Sequence, residues 1–200
     1  RQPERTNHHA GREGGRHHCG KDAATSGKCP RVPGAGLPRK PTIITGGMRV
    51  QTIRNAAVIG GGVIGAGWIA RLLENGINVA VHDPAPGARE RVQAVLDNAD
   101  HVYAKLTMAP RPAKGTLEFC DSIARAVTVA ELVVEAVPEN PELKQSVYAQ
   151  VEASAASTAI IASSTSGILP SQLQAGLKHP ERLLVAHPFN PVYLLPLVEL

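Results

Sequence analysis

The chain is 200 residues long, 43% hydrophobic and 19% charged, with a formal net charge of +4; that length holds one domain and a tail rather than two full domains. No apolar run approaches the roughly 20 residues of a membrane-spanning helix, so no membrane partner is expected. Its three cysteines cannot pair without a remainder, which favours a reducing compartment, the cytoplasm.

The positive charge is local. Residues 1–47 hold 9 Lys and Arg, 3 Asp and Glu, and 9 of the 19 Gly. Such a segment cannot bury enough apolar surface to offset the entropy of ordering it, so 1–47 is expected to be a disordered basic tail. The basic pI therefore belongs to the tail, and no nucleic-acid partner is expected. Met48 stands just ahead of the first strong strand pattern; the expectation is that translation starts there and that 1–47 is not native. His17, His18, Cys19 and Cys29 are ligand types for zinc, but their spacing matches no standard pattern, and no metal is expected.

Residues 48–200 alternate short β-rich runs with longer helical periodicity. Ala56–Ile59 reads as a buried strand, Val63–Asn75 as a helix stopped at Asn75-Gly76, and Asn78–His82 as a second strand. Val92, Val95, Leu96, Ala99, Val102, Tyr103 and Leu106 recur at helical spacing and predict one long amphipathic helix. Strands follow at Leu117–Cys120 and Leu132–Ala136. A helix then opens near Pro141, with Leu143, Val147 and Val151 as its core face. Ala159–Ala162, Leu183–Ala186 and Leu197-Val198 complete the strands, and Cys120 reads as a small core residue. Strands alternating with helices, each strand nearly all apolar, predict a doubly wound, mainly parallel α/β sheet.

Gly60-Gly61-Gly62-Val63-Ile64-Gly65 is a G-x-G-x-x-G pattern placed between a predicted strand and helix, with Asp83 at the end of the second strand. Only glycines permit the tight turn at Gly60, the approach of a pyrophosphate at Gly62, and the close helix–strand packing at Gly65, assisted by Ala66 and Gly67. The helix start, at Val63 and Ile64, offers free N–H groups and a positive dipole end to phosphate. Asp83 would accept from an adenosine ribose and repel a 2′-phosphate, which selects NAD over NADP.

The last forty residues carry the chemistry. Ser166 follows one strand, His187 ends the next, and Asn190 and Glu199 lie downstream; ligands in open α/β sheets bind beyond the carboxyl ends of the strands. Oxidation of a secondary alcohol needs a base for the hydroxyl proton as hydride leaves the same carbon. Neutral His serves near pH 7, and a carboxylate on its other nitrogen fixes the tautomer.

Gly60–Arg71 (GGGVIGAGWIAR), His82–Ala88 (HDPAPGA), Ser163–Pro170 (SSTSGILP) and His179–Leu200 (HPERLLVAHPFNPVYLLPLVEL) resemble the NAD-binding domain of the 3-hydroxyacyl-CoA dehydrogenase superfamily. The resemblance covers 55–200 and implies a Rossmann-like fold with His187 as general base and Glu199 as its partner. It also implies Ser166 against substrate and nicotinamide, Asn190 positioning the reacting groups, and Glu139 and Lys144 lining the cofactor site. Acyl-CoA members typically read His-Phe-Phe-Asn-Pro and Ser-Asn-Thr-Ser, whereas this chain has Pro188 and Ser164. Both departures resemble the family's carnitine-oxidising branch, so the expected substrate is a small, carnitine-like 3-hydroxy acid. Trp68, Phe189 and Tyr193 are the aromatic candidates for its ammonium group. The alternatives are a 3-hydroxyacyl-CoA substrate and a non-catalytic NAD-binding module. The family adds a helical C-terminal domain that forms most of a homodimer interface. The chain is therefore expected to be a fragment of 48–200 domain type, inactive alone and homodimeric at full length.

Overall fold

A computed structural model describes residues 52–106 and 110–200. The expectations for 1–47, Met48 and the four candidate zinc ligands lie outside the described residues. Among the described residues, eight strands and five α-helices follow in chain order. β1 (Asn55–Ile59), α1 (Val63–Glu74), β2 (Asn78–His82), α2 (Ala88–Lys105), β3 (Leu117–Phe119), α3 (Ile123–Val127) and β4 (Leu132–Glu135) form the first part. Then come α4 (Pro141–Ser154), β5 (Ile160–Ser163), α5 (Pro170–Gln174), a 3-10 turn at Pro180–Arg182, β6 (Leu183–Val185), β7 (His187–Pro188) and β8 (Val198–Glu199).

The first six strands make one parallel sheet in the order β3-β2-β1-β4-β5-β6. The chain winds outward from β1 in one direction and from β4 in the other, so the crevice for a ligand opens between β1 and β4. Successive residues of β1 feed opposite cores. Ala56 and Val58 pack with α1 and α2, whereas Ala57 and Ile59 pack with α3, α4 and α5. A strand covered on both faces must be apolar throughout, which is the pattern the sequence carried. α4 starts where expected, with Pro141 in its first turn and the Asn140 side chain accepting from the Leu143 N–H at 2.7 Å.

Several expectations are corrected. α3 and α5 were not foreseen, because five residues are too few to display a helical period. The strand expected at Leu197-Val198 is present one residue later as β8, and it pairs antiparallel with β7 in a separate two-stranded ribbon rather than joining the parallel sheet. In α4, Leu143 is 40% exposed, and its buried face is Lys144, Val147, Tyr148 and Val151. Leu106 caps α2 and is exposed rather than continuing its core face. Gly67 makes room for Val192, not the sheet: a Cβ there would meet the Val192 side chain at 2.9 Å. Cys120 is half-buried beside the core.

Candidate active site

Two groups of residues meet at the carboxyl ends of the strands. The first surrounds the β1–α1 turn. Gly60 has φ +100°, a left-handed conformation that side chains resist, and a Cβ there would lie 2.6 Å from the Ala136 carbonyl oxygen. A Cβ on Gly65 would lie 1.8 Å from the Gly60 carbonyl oxygen, so that glycine lets α1 touch the turn. Gly62 differs: a Cβ on it would meet nothing within 4 Å. It is the N-cap of α1 and leaves the helix start open, with Val63 exposed. These features leave the start of α1 accessible to an anion such as a pyrophosphate.

Asp83 is fixed from two sides. Its Oδ2 accepts from the Gly61 N–H at 2.6 Å, and its Oδ1 from the Ala85 N–H at 2.8 Å. A carboxylate held this way at the end of β2 lines the cleft beside the glycine turn. A cleft of about 700 Å³ runs from here across Gly60, Gly62, Val63 and Asp83 to Leu143 and Gln150 on α4. The exposure of Leu143 thus has a reason, since it lines this cleft. The residues present fit a dinucleotide: open space at Gly62, none at Gly60 or Gly65, and an oriented acid lining the same cleft.

The second group contains the reactive side chains. In the β7–β8 ribbon, His187 stands directly opposite Glu199, which puts both side chains on one face. His187 Nδ1 lies 3.1 Å from Glu199 Oε2, and His187 Nε2 lies 3.2 Å from Ser166 Oγ. With Nδ1–H donating to the carboxylate, Nε2 carries the free lone pair and can accept a proton. A smaller pocket, about 360 Å³, includes Ser166, Gly167, Leu169, His187 and Glu199 in its lining. Asn190 is exposed two residues beyond Pro188, and the hydrogen bonds of the His187 ring go to Ser166 and Glu199.

Of the aromatic candidates, Phe189 is 37% exposed and packs edge-on to the His187 ring, centroids 6.0 Å apart. Trp68 Nε1–H donates to Ser164 Oγ at 3.2 Å. Tyr193 is buried in the α1–α2 core, its hydroxyl accepting from Asn98 at 2.8 Å.

Glu139 and Lys144 form a layer behind the loop that bears Ser166. Glu139 Oε1 accepts from the Thr165 hydroxyl, from the Ser166 N–H at 3.1 Å and from the Gly167 N–H at 3.0 Å. Partial burial pushes against ionisation of Glu139. The Thr165 hydroxyl, the Gly167 N–H, the Lys144 ammonium and the Ser166 N–H outweigh it and hold the carboxyl below the ordinary value. Lys144 is 1% exposed, its ammonium turned inward to Glu135 at 2.7 Å, with Glu139 at 3.4 Å.

Glu135, Ser163, Tyr148 and Thr165 escaped the reading of the sequence. Glu135 is 0% exposed and accepts from the Tyr148 hydroxyl and the Ser163 hydroxyl, each at 2.6 Å. Burial, with the neighbouring Glu135 charge, raises the Tyr148 phenol far above its ordinary range. The one signal in the sequence was an acid in the apolar run Leu132-Val133-Val134-Glu135, followed by a lysine nine residues on.

Residues 55–200 match the family described as 3-hydroxyacyl-CoA dehydrogenase, NAD binding domain. An L-carnitine dehydrogenase of Oceanobacillus iheyensis is 55% identical over 148 residues, which cover 74% of this chain and 48% of that protein. An L-carnitine dehydrogenase/betainyl-CoA thioesterase of a Rhizobium species is also 55% identical over 148 residues, 74% of this chain and 30% of the relative. The chain thus spans half or less of the length of these relatives. Among solved structures, an NAD+-dependent 5-formyl-3-hydroxy-2-methylpyridine 4-carboxylic acid 5-dehydrogenase superposes with TM-score 0.68 at 41% identity, over 74% of this chain and 48% of that one. The 3-hydroxybutyryl-CoA dehydrogenase of Escherichia coli gives 0.65 at 26% identity, over 74% of this chain and 32% of that one.

Proposed function

The chain belongs to the 3-hydroxyacyl-CoA dehydrogenase family through its NAD-binding domain, and from that premise we propose that it oxidises the 3-hydroxyl of L-carnitine to 3-dehydrocarnitine. The observation that carries this reading is the line Ser166–His187–Glu199, with 3.2 Å and 3.1 Å between successive partners, set at the carboxyl end of an NAD-binding sheet.

The Gly60–Gly65 turn and Asp83 would hold NAD, which would supply the hydride acceptor. His187 takes the hydroxyl proton at Nε2, and Glu199 stabilises the imidazolium that forms by accepting from Nδ1–H. Ser166 is placed to donate to the substrate oxygen, which would take over the position its own hydroxyl now holds at Nε2. Asn190 is assigned the orientation of the reacting groups. Phe189, exposed beside the base, offers an aromatic face to a trimethylammonium group. In carnitine that group sits two bonds from the reacting carbon, within reach of a ring packed on His187.

The carnitine assignment is supported by the 55% identical relatives and by Pro188 and Ser164, where acyl-CoA members typically carry Phe and Asn. The test is NADH formation by the full-length gene product with L-carnitine against a 3-hydroxyacyl-CoA. Turnover of carnitine alone supports the proposal. Turnover of the acyl-CoA alone overturns the substrate and leaves the mechanism, and turnover of neither points to a non-catalytic NAD-binding module.

A further inference from the structure

We infer that Tyr103 and Asn98 of α2, with Arg71 of α1, anchor Tyr193 and thereby hold Glu199 against His187, as positioning residues for the base. The inference rests on the dehydrogenase reading above, because it concerns what keeps the base and its partner together in that reading.

The ribbon that pairs His187 with Glu199 has little of its own to hold it. Its two strands are two residues each, and Glu199 is exposed. A two-stranded ribbon is marginal by itself even when longer than this. In the connection between the strands, residues 191–195 make a turn, with the Leu194 and Leu195 N–H groups donating to the Pro191 carbonyl at 2.9 and 3.0 Å. That turn is driven into the groove between α1 and α2. Val192, 3% exposed, fills the notch that Gly67 leaves on α1. Tyr193 is buried in the core that the two helices share, edge-on to the Tyr103 ring with centroids 6.2 Å apart.

Burial draws the turn inward, but directional bonds set its depth and rotation. The Tyr193 carbonyl accepts from the Tyr103 hydroxyl and from Arg71 Nη1–H at 3.3 Å. The Tyr193 hydroxyl accepts from the Asn98 amide at 2.8 Å. One residue is thus gripped at its backbone and at the tip of its side chain, by groups from both helices. The chain leaves the turn through Pro196 and Leu197, whose carbonyl accepts from the Phe189 N–H at 3.2 Å, and enters β8 at once. The register that sets Glu199 opposite His187 is therefore fixed from the turn. Because α1 also begins at the glycine turn, the same anchor ties the base to the helix that would receive the cofactor.

The test uses the full-length enzyme with Asn98→Ala, Tyr103→Phe and the double variant Tyr103→Phe/Arg71→Met. Asn98 is exposed and Tyr103→Phe keeps the ring, so the single variants fold and carry the test even if the double variant does not. Amide exchange, read without cofactor, is expected to accelerate about tenfold or more at Phe189, Leu194 and Leu195 in the double variant, less in the single ones, and not in β1. Nitrogen chemical shifts of the neutral His187 ring are expected to show the Nδ1–H tautomer in wild type and a mixture of tautomers in the variants, since the partner of one ring nitrogen decides where the proton sits. The double variant is expected to lose about tenfold or more in kcat with the NAD Kd unchanged, and to lose less than about twofold when built into Glu199→Gln, because the effect runs through Glu199. Unchanged exchange, an unchanged tautomer, an unchanged kcat, or the same loss in the Glu199→Gln background overturns the inference. Loosened amides and mixed tautomers in a protein that turns over no 3-hydroxy acid would uphold the positioning role and sink the dehydrogenase reading.

Discussion

Two alanine substitutions three residues apart in the glycine turn are expected to fail in opposite ways. In Gly65→Ala the new Cβ would lie 1.8 Å from the Gly60 carbonyl oxygen and 3.4 Å from the Ala136 Cβ. The first distance is far inside any real contact, and the obstacle is backbone, so α1 must lift by more than an ångström from the turn. Overpacking of this kind costs about 1–3 kcal/mol. At roughly 2–4 °C per kcal/mol for a domain of this size, the upper end lowers Tm by roughly 6–12 °C. In Gly62→Ala the Cβ enters open space, at φ −70°, which alanine adopts freely. Loss of the glycine N-cap preference costs about 1 kcal/mol or less. Yet the methyl would occupy open space at the helix start, through which a pyrophosphate would approach. Losing one charge-assisted hydrogen bond, about 1.5–3 kcal/mol, weakens NAD binding by about 10- to 150-fold. Thermal melts followed by circular dichroism, with NAD titrations by calorimetry on the same samples, separate the two effects. Equal Tm losses in the two variants, or wild-type NAD affinity in Gly62→Ala, would refute the assignment of the turn.

Asp83→Ala removes the acceptor of the Gly61 and Ala85 N–H groups and the charge that would repel a 2′-phosphate; the preference in kcat/KM for NAD over NADP is expected to fall about tenfold or more. Glu199→Gln keeps the shape of the ribbon but withdraws the charge that supports imidazolium, so kcat is expected to drop by about 10²-fold with NAD affinity intact. Glu139 has a folded pKa below its ordinary 4.5, so its contribution to stability is complete above that value and is lost as pH falls through the lowered one. Wild-type Tm is therefore expected to fall more steeply than that of Glu139→Gln as pH is taken from 4.5 down to about 3; parallel curves would exclude an ionised Glu139 as the anchor of the loop.

How far the sequence announced this structure depends on what each element needs to declare itself. β1, α1 and β2 were legible because one glycine pattern, one apolar run and one acid agree on a single local geometry. α3 and α5 were not, since neither completes two turns. The core face of α4 was misassigned because periodicity counts apolar side chains. Here Lys144 is buried by an ion pair and Leu143 is exposed by a cleft, and both facts depend on partners distant in sequence. His187 and Glu199 could be nominated from their chemistry, but their pairing depends on the β7–β8 register, which two-residue strands cannot signal. The cluster of Glu135, Lys144 and Glu139 was illegible for a similar reason. Its members were visible as residues, while their arrangement exists only where β4, α4 and the loop after β5 converge.

The central claim is that His187 is the base of an NAD-dependent alcohol oxidation, and replacing it by alanine tests this most directly. In the full-length enzyme, NADH formation from L-carnitine at saturating NAD would be followed for wild type and His187→Ala, with the NAD Kd measured beside it. The account predicts a kcat lower by about 10²- to 10⁴-fold and an unchanged Kd. A kcat within a few-fold of wild type would contradict it.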